Sequence, residues 1–250
     1  MTPVGSRSKP VPRPGIRSAA GPAVSRTMGR VMETTLHKQL KALYADDPEQ
    51  EEVVVGPYRI DAVRGEQLVE VQCASLSAIR RKLRDLTADR EVLLVKPLAA
   101  VTTIVRRDRR GRELSRRRSP KRGDLWALYQ ELVHLRGVFP HANLRIEVPL
   151  CEVEDVRGPR PKNGFTRRRR DRSADRTLIG VRSTVTLRTP EDLSAMLPAG
   201  CPDPFDTAEL AASAGIPRFL AQKVAYCLKF SGAAEPVAKR GNAVVYRRAA

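Results

Sequence analysis

Aromatic side chains are scarce in this chain: Phe, Trp and Tyr together make up 4% of 250 residues. Since 41% of the residues are hydrophobic, a sizeable core is available, and it has to be mostly aliphatic. Cysteine is also scarce. Cys73, Cys151, Cys201 and Cys227 stand 78, 50 and 26 residues apart with no C-x-x-C among them. That spacing argues against a cysteine zinc site and a disulfide scaffold, and agrees with a reducing, cytoplasmic setting. No apolar run approaches the ~18 residues of a membrane-spanning helix, and no signal-peptide core stands at the N-terminus. Acidic residues are outnumbered, with 28 Asp and Glu against 46 Lys and Arg, a formal net charge of +18. Such a surface seeks phosphate backbones.

Residues 1–32 hold five prolines and no acid and lack apolar periodicity, which reads as a disordered basic tail. From Glu33 the texture changes. ETTLHKQLKALYADD sets Leu36, Leu40 and Leu43 at helical spacing. VVVGPYRIDAV and EQLVEVQCA are β-rich, with a turn at Arg64-Gly65-Glu66. Ser75 is an N-cap for a helix with Leu76, Ile79, Leu83 and Leu86 inward and Arg80, Arg81, Lys82 and Arg84 solvated. EVLLVKPL is a buried-type strand ended by Pro97. The resulting order is α-β-β-β-α-β.

Residues 106–122 are a basic insert with ten Lys and Arg against two acids. DLWALYQELVHL is a helix, NLRIEVPLCEV a strand, and residues 157–176 a second basic insert containing Arg167, Arg168, Arg169 and Arg170. TLIGVRSTVTL reads as a strand, with helix as the alternative. TPEDLSAML is a helix capped by Thr189 with Pro190 at its first position. Residues 33–200 are thus expected to form one domain, and Pro198 to Pro204 a linker to a second, residues 201–250. There a helix capped by Asp206 and closed by Gly215 precedes a second helix and a hairpin turning at Gly241-Asn242. Helix, turn, helix and basic hairpin is the layout of a winged helix-turn-helix.

Period two decides which side chains share a face of a strand. A turn centred on Gly65-Glu66 pairs Arg64 with Gln67, Val63 with Leu68, Asp61 with Glu70 and Arg59 with Gln72. Asp61 and Glu70 are then cross-strand neighbours on one face. Like charges so placed are destabilising, and a cation or a proton must compensate. Two converging carboxylates suit Mg²⁺ or Mn²⁺. The alternative is that Arg59 neutralises the pair and the cluster is merely solvated.

A helix with a Glu, then strand-turn-strand carrying D-x8-E-x-Q, then helix and strand, resembles the core of the PD-(D/E)xK nuclease superfamily over Glu33 to Val95. The resemblance implies an α/β (α+β) fold of restriction-endonuclease type, a mixed sheet flanked by helices. It implies metal held by Asp61, Glu70, the carbonyl of Val71 and Glu33, and hydrolysis of a phosphodiester by an activated water. The family's lysine falls at Gln72, a neutral departure that leaves no ammonium to stabilise developing charge. His37, one turn after Glu33, is read as an ordinary helix histidine. The tandem with a C-terminal winged helix also resembles an uncharacterised bacterial protein family, which implies no activity.

In a helix-turn-helix the second helix enters the major groove. Its outward set here is Arg218, Gln222, Lys223, Tyr226 and Lys229, while Lys239, Arg240, Arg247 and Arg248 on the hairpin reach phosphates or the minor groove. The two basic inserts read as phosphate clamps. The expected protein is a cytoplasmic, nucleoid-associated DNA-binding protein and Mg²⁺-dependent nuclease. Its partners are double-stranded DNA and a second copy of the chain, and no membrane. The rivals are a non-catalytic regulator on a decayed nuclease core and an RNA-binding basic protein.

Overall fold

Local signals place most elements. In a computed structural model that describes residues 34–121, 123–158 and 173–249, the Thr34 hydroxyl accepts the N–H of His37 and starts helix α1, Thr35–Tyr44. Gly56 and Gly65, at φ +57° and +58°, make the tight turns that fold β1 (Glu51–Val55), β2 (Tyr58–Arg64) and β3 (Gln67–Val71) into an antiparallel meander. Ser75 caps a 3₁₀ turn, Leu76–Ile79, that runs into α2, Arg80–Thr87. β4, Val92–Val95, then pairs with β3 in parallel.

Pro97, which has no N–H for a ladder, breaks the path after β4, and β5 resumes at Leu98–Arg107. A long strand, β7 (Leu144–Arg157), takes β4 and then β5 in parallel along one edge. The antiparallel β8, Ser173–Leu187, lies along its other edge. β6, Glu113–Arg118, pairs with β5 and ends that branch. The fold is therefore mixed α and β, an eight-stranded mixed sheet flanked by helices, as expected.

Alternation sorts the two faces. Leu68, Val92 and Leu94 join α2 and α3 (Trp126–Leu132), while Val69, Val71, Leu93 and Val95 join Leu36 and Leu40 of α1. Burial on both sides explains the unbroken apolar run of β4. Leu43, expected inward, is 62% exposed.

Two further readings change. The basic stretch from residue 106 is no irregular insert, because residues 106–118 belong to a β-hairpin. The β-branched run Thr102 to Val105 carries the strand into the arginines, and every side chain of β6 is exposed. A charged edge of this kind blocks pairing with another chain. TLIGVRSTVTL is strand, within β8.

Beyond β8, α4 (Pro190–Ala195) has Thr189 and Asp192 in a capping box. α5 (Thr207–Ala214) has Asp206 and Glu209 in another, and Gly215 closes it at φ +61°. α6, Arg218–Ser231, leads to the hairpin of β9 (Ala234–Arg240) and β10 (Ala243–Arg248), which turns at Gly241-Asn242. Phe205 exchanges both backbone hydrogen bonds with Tyr246, at 2.8 and 2.7 Å, adding a short third strand.

These C-terminal elements share the larger core. Leu193, Phe205, Val224 and Leu228 pack in the same cluster as Leu128 and Ile146. The Tyr129 hydroxyl on α3 donates to the Leu193 carbonyl, at 3.1 Å. The described residues from 34 to 249 belong to one compact unit. Phe205→Ala, at a fully buried ring, should cost about 3–5 kcal/mol. Sheet and hairpin should unfold together in urea, giving one transition by Trp126 fluorescence and by far-ultraviolet circular dichroism. Two separated transitions would show instead that the C-terminal elements fold by themselves. The N-terminal tail, 1–32, lies outside the described residues.

Candidate functional site

The β2–β3 ladder has the register set by its turn: Arg64↔Gln67, Val63↔Leu68, Ala62↔Val69. There it stops, so Asp61 with Glu70 and Arg59 with Gln72 are not ladder pairs as the turn predicted. The cause lies on β1. Between Glu51↔Ala62 and Val53↔Ile60, Glu52 stands across from Asp61 with φ +59°, the left-handed region, which is costly for a glutamate. The distortion turns β2. Ile60 packs on the α2 side and Ala62 on the α1 side, although two residues apart on a regular strand they would share a face. Ion pairs hold Glu52 in place: Lys41, 3% exposed, donates at 2.8 Å, and Arg59 closes on the other carboxylate oxygen.

Where the strands part, the Asp61 carboxylate fills the gap and accepts the N–H of Val71, at 2.8 Å. Its Oδ2 also lies 3.3 Å from Nε2 of His37 on α1. Glu70, 6% exposed, points to the α2 side, where the Lys82 ammonium closes on its carboxylate. The two acids therefore approach across a gap rather than from one face. Lys82, expected in solvent, is the cation that compensates them, in place of Arg59. It flanks the apolar stripe of α2, and its ammonium also donates to the Arg59 carbonyl.

The two carboxyls differ in proton affinity. Burial favours the neutral acid at both. At Asp61 the hydrogen bonds from His37 and Val71 outweigh burial and hold it below the usual carboxylate range. At Glu70 burial and the charge of Asp61 outweigh Lys82, and its pKa is pushed up to about 7. A raised folded-state value means that the native state keeps a proton the unfolded chain has lost. The stability due to Glu70 is therefore complete below its ordinary pKa near 4.5 and lost as pH rises through about 7. Glu70→Gln should remove that decline, which is about 3 kcal/mol for a shift of this size. Urea melts between pH 4 and 8 measure it, and parallel profiles for the two proteins would show that Glu70 does not titrate there.

The other expected members fall as follows. Gln72 donates its backbone N–H to Val95 and its side-chain amide to the Ser75 carbonyl, so its amide braces the loop after β3. Val71 contributes its N–H to Asp61. Glu33 lies outside the described residues, as do Arg167, Arg168, Arg169 and Arg170. Among the described residues, no three His, Cys, Asp or Glu side chains are arranged to hold a metal ion. Neither Asp61 Oδ1 nor Glu70 Oε1 takes a hydrogen bond or ion pair from the described residues. Among the described residues the pair thus leaves one oxygen of each carboxylate without a partner, and carboxylate oxygens are hard donors of the kind that suit Mg²⁺ or Mn²⁺.

Lys41, Glu52 and Lys96 escaped the sequence reading. Lys96, 4% exposed at the end of β4, donates to the Ala74 carbonyl, and burial lowers its pKa. A single lysine inside the apolar run VLLVKPL was the available signal for it. Lys41 follows Leu40 on the inward stripe of α1, a signal of the same kind.

Of the expected nucleic-acid contacts, Arg218, Gln222, Tyr226, Lys229 and Lys239 are exposed, and Lys223 is half-buried. Arg240 is already engaged. Its guanidinium lies 2.8 Å from Glu209 and 3.7 Å from Asp206, tying the hairpin to the start of α5. Arg248 turns inward, donating to the Cys201 carbonyl at 3.0 Å, which removes it from the outward set. Arg247 is exposed.

Residues 34–188, from the cap of α1 to the end of β8, match the profile of a family described as a domain of unknown function (DUF8091). An uncharacterized protein of Treponema pallidum (strain Nichols) is 28% identical over 227 residues, covering 89% of this chain and 88% of that protein. No solved structure matches. None of the helices among the described residues is long and apolar enough to cross a membrane.

Proposed function

We propose that this chain, which belongs to the DUF8091 family, is a double-stranded-DNA-binding protein with a metal-dependent phosphodiesterase centre at Asp61 and Glu70. One observation carries the reading. The distortion at Glu52 opens the sheet so that an ionised Asp61, a buried Glu70 and the Lys82 ammonium meet where β2 leaves β3. Asp61 Oδ1, Glu70 Oε1 and the Val71 carbonyl would hold Mg²⁺ or Mn²⁺. Such an ion would polarise a phosphoryl oxygen and lower the pKa of an attacking water.

The chain's own groups have separate parts in this reading. His37 and the Val71 N–H keep Asp61 charged and aimed. Glu70 releases its proton near neutrality, so above that pH the site carries two negative charges, with Lys82 or a metal ion to balance the second. Lys82, released from Glu70, supplies the ammonium absent at Gln72 and stabilises charge developing on the phosphate. The C-terminal helices and hairpin support a winged-helix reading, with Arg218 and Gln222 toward base edges and Lys223, Tyr226 and Lys239 beside them. A cytoplasmic, nucleoid-associated setting and a paired copy acting on the second strand go with this function.

A second reading has its own support: Lys82 already neutralises Glu70, so the pair is stable without a metal, as in a non-catalytic DNA-binding protein. Nicking of supercoiled plasmid separates them. The first reading expects relaxed product with Mg²⁺ or Mn²⁺ and none with EDTA, together with a rise in melting temperature with millimolar metal. No nicking and no thermal shift would leave the binding protein.

A further inference from the structure

Two arginines far apart in the sequence are joined by topology. β5 and β7 are parallel neighbours, and Arg106 stands beside Arg157 where both strands end. Past Arg106 the chain turns through residues 108–112 into β6. Asp108 is consumed within that turn: its carboxylate accepts the N–H groups of Arg110 and Arg112, at 2.8 and 2.9 Å, and the Arg112 side chain, at 3.0 Å. Arg106, Arg107, Arg109, Arg110 and Arg112 line a cleft of about 480 Å³ at this tip. Arg112 is spent on Asp108, while Arg107, Arg109 and Arg110 are exposed on the turn, and guanidiniums clustered in this way suit a run of phosphates rather than a single anion.

The distance from the acidic pair follows from strand geometry. Glu70 is level with Leu94, Leu94 with Ile146, and Arg106 with Arg157. From Ile146 to Arg157 is eleven residues along β7, about 36 Å at roughly 3.3 Å per residue. One turn of B-form DNA is about 34–36 Å. A duplex lying along β7 with one phosphate at Asp61 and Glu70 therefore presents the same groove again at the tip. A two-stranded hairpin end fits the B-form major groove, whereas the A-form major groove of RNA is too narrow for it.

We propose that the β5–β6 turn is a phosphate clamp that grips double-stranded DNA about one helical turn from the acidic pair. Stable binding would then need a duplex longer than one turn. This rests on the DNA-binding function proposed above.

The test is fluorescence anisotropy on the full chain with 8- and 20-base-pair DNA duplexes over a range of salt. The variant is the triple Arg107→Gln, Arg109→Gln, Arg110→Gln; these side chains are exposed and leave the Asp108–Arg112 contact intact. The native chain should bind the longer duplex far more tightly than the shorter. The variant should lose about a hundredfold on the longer duplex at 0.15 M salt, with a salt slope shallower by about 3. It should bind the shorter duplex as the native chain does. Equal affinity and slope for native chain and variant on 20 base pairs would overturn the clamp while leaving DNA binding in place. Tighter binding of a 20-base-pair RNA duplex would also overturn it. Failure of the native chain to bind either DNA duplex at low salt would overturn the DNA-binding reading and the clamp with it.

Discussion

Asp61→Asn should lower Mg²⁺-dependent nicking of plasmid DNA by at least about a hundredfold, the scale for removing one charge-stabilising group from a catalytic centre. The reason is local. Asp61 is the carboxyl held ionised, by His37 and the Val71 N–H, so the substitution removes a full charge where a divalent ion would sit. Asparagine keeps an oxygen for the Val71 N–H, and the sheet should part as before. Glu70→Gln should have a similar effect on nicking. DNA affinity should change little for either, because the positive charge lies elsewhere. Nicking rates, with anisotropy on the same samples, are the measurements. Equal rates for the native chain and Asp61→Asn would remove the acidic pair from any cleavage observed. Lost DNA affinity would show instead that the acids organise the binding surface.

Lys82→Met should give the largest stability effect among the charged groups, and one that depends on pH. Its ammonium and the Glu70 carboxylate have side chains 15% and 8% exposed. Breaking a buried pair from one side costs about 3–5 kcal/mol when the remaining charge is stranded. Glu70 can escape by taking a proton, since burial and Asp61 already raise its pKa. The loss should therefore be about 3 kcal/mol at pH 8 and under about 1 kcal/mol at pH 5. Adding Glu70→Gln to Lys82→Met should restore much of the loss at pH 8, as the stranded charge is then gone. Urea midpoints of the four proteins at both pH values form a double-mutant cycle. A loss independent of pH would assign the role of Lys82 to packing of its stem, and no rescue by the second substitution would deny the coupling.

Local chemistry determined much of this protein from sequence alone. Ser75, Thr189 and Asp206 cap helices because a side-chain oxygen at that position satisfies N–H groups the helix leaves open. Gly65 set the register of β2 against β3, because a two-residue turn leaves only one pairing of the strands. Alternation in β3 sorted Leu68 from Val69, and the aliphatic run of β4 announced a strand buried on both faces. Asp61 and Glu70 were legible as a pair because they are close along the chain.

What the pair meets was decided by tertiary structure. The partners lie on other elements: His37 on α1, Lys82 on α2, and Glu52 on β1 with its left-handed backbone. Helical periodicity places Lys82 beside an apolar stripe but does not say that a carboxylate waits beneath it. Nor does a turn-based register reveal where a ladder ends, because that depends on strain in a third strand. Arg106 and Arg157 come to one pole only because β5 and β7 run parallel, which is a long-range pairing without a local signal. The C-terminal elements likewise read as a separate module from their prolines. Phe205, Val224 and Leu228 nonetheless share one core with Leu128 and Ile146, because burying those side chains against α3 lowers the free energy more than solvating them between two domains would.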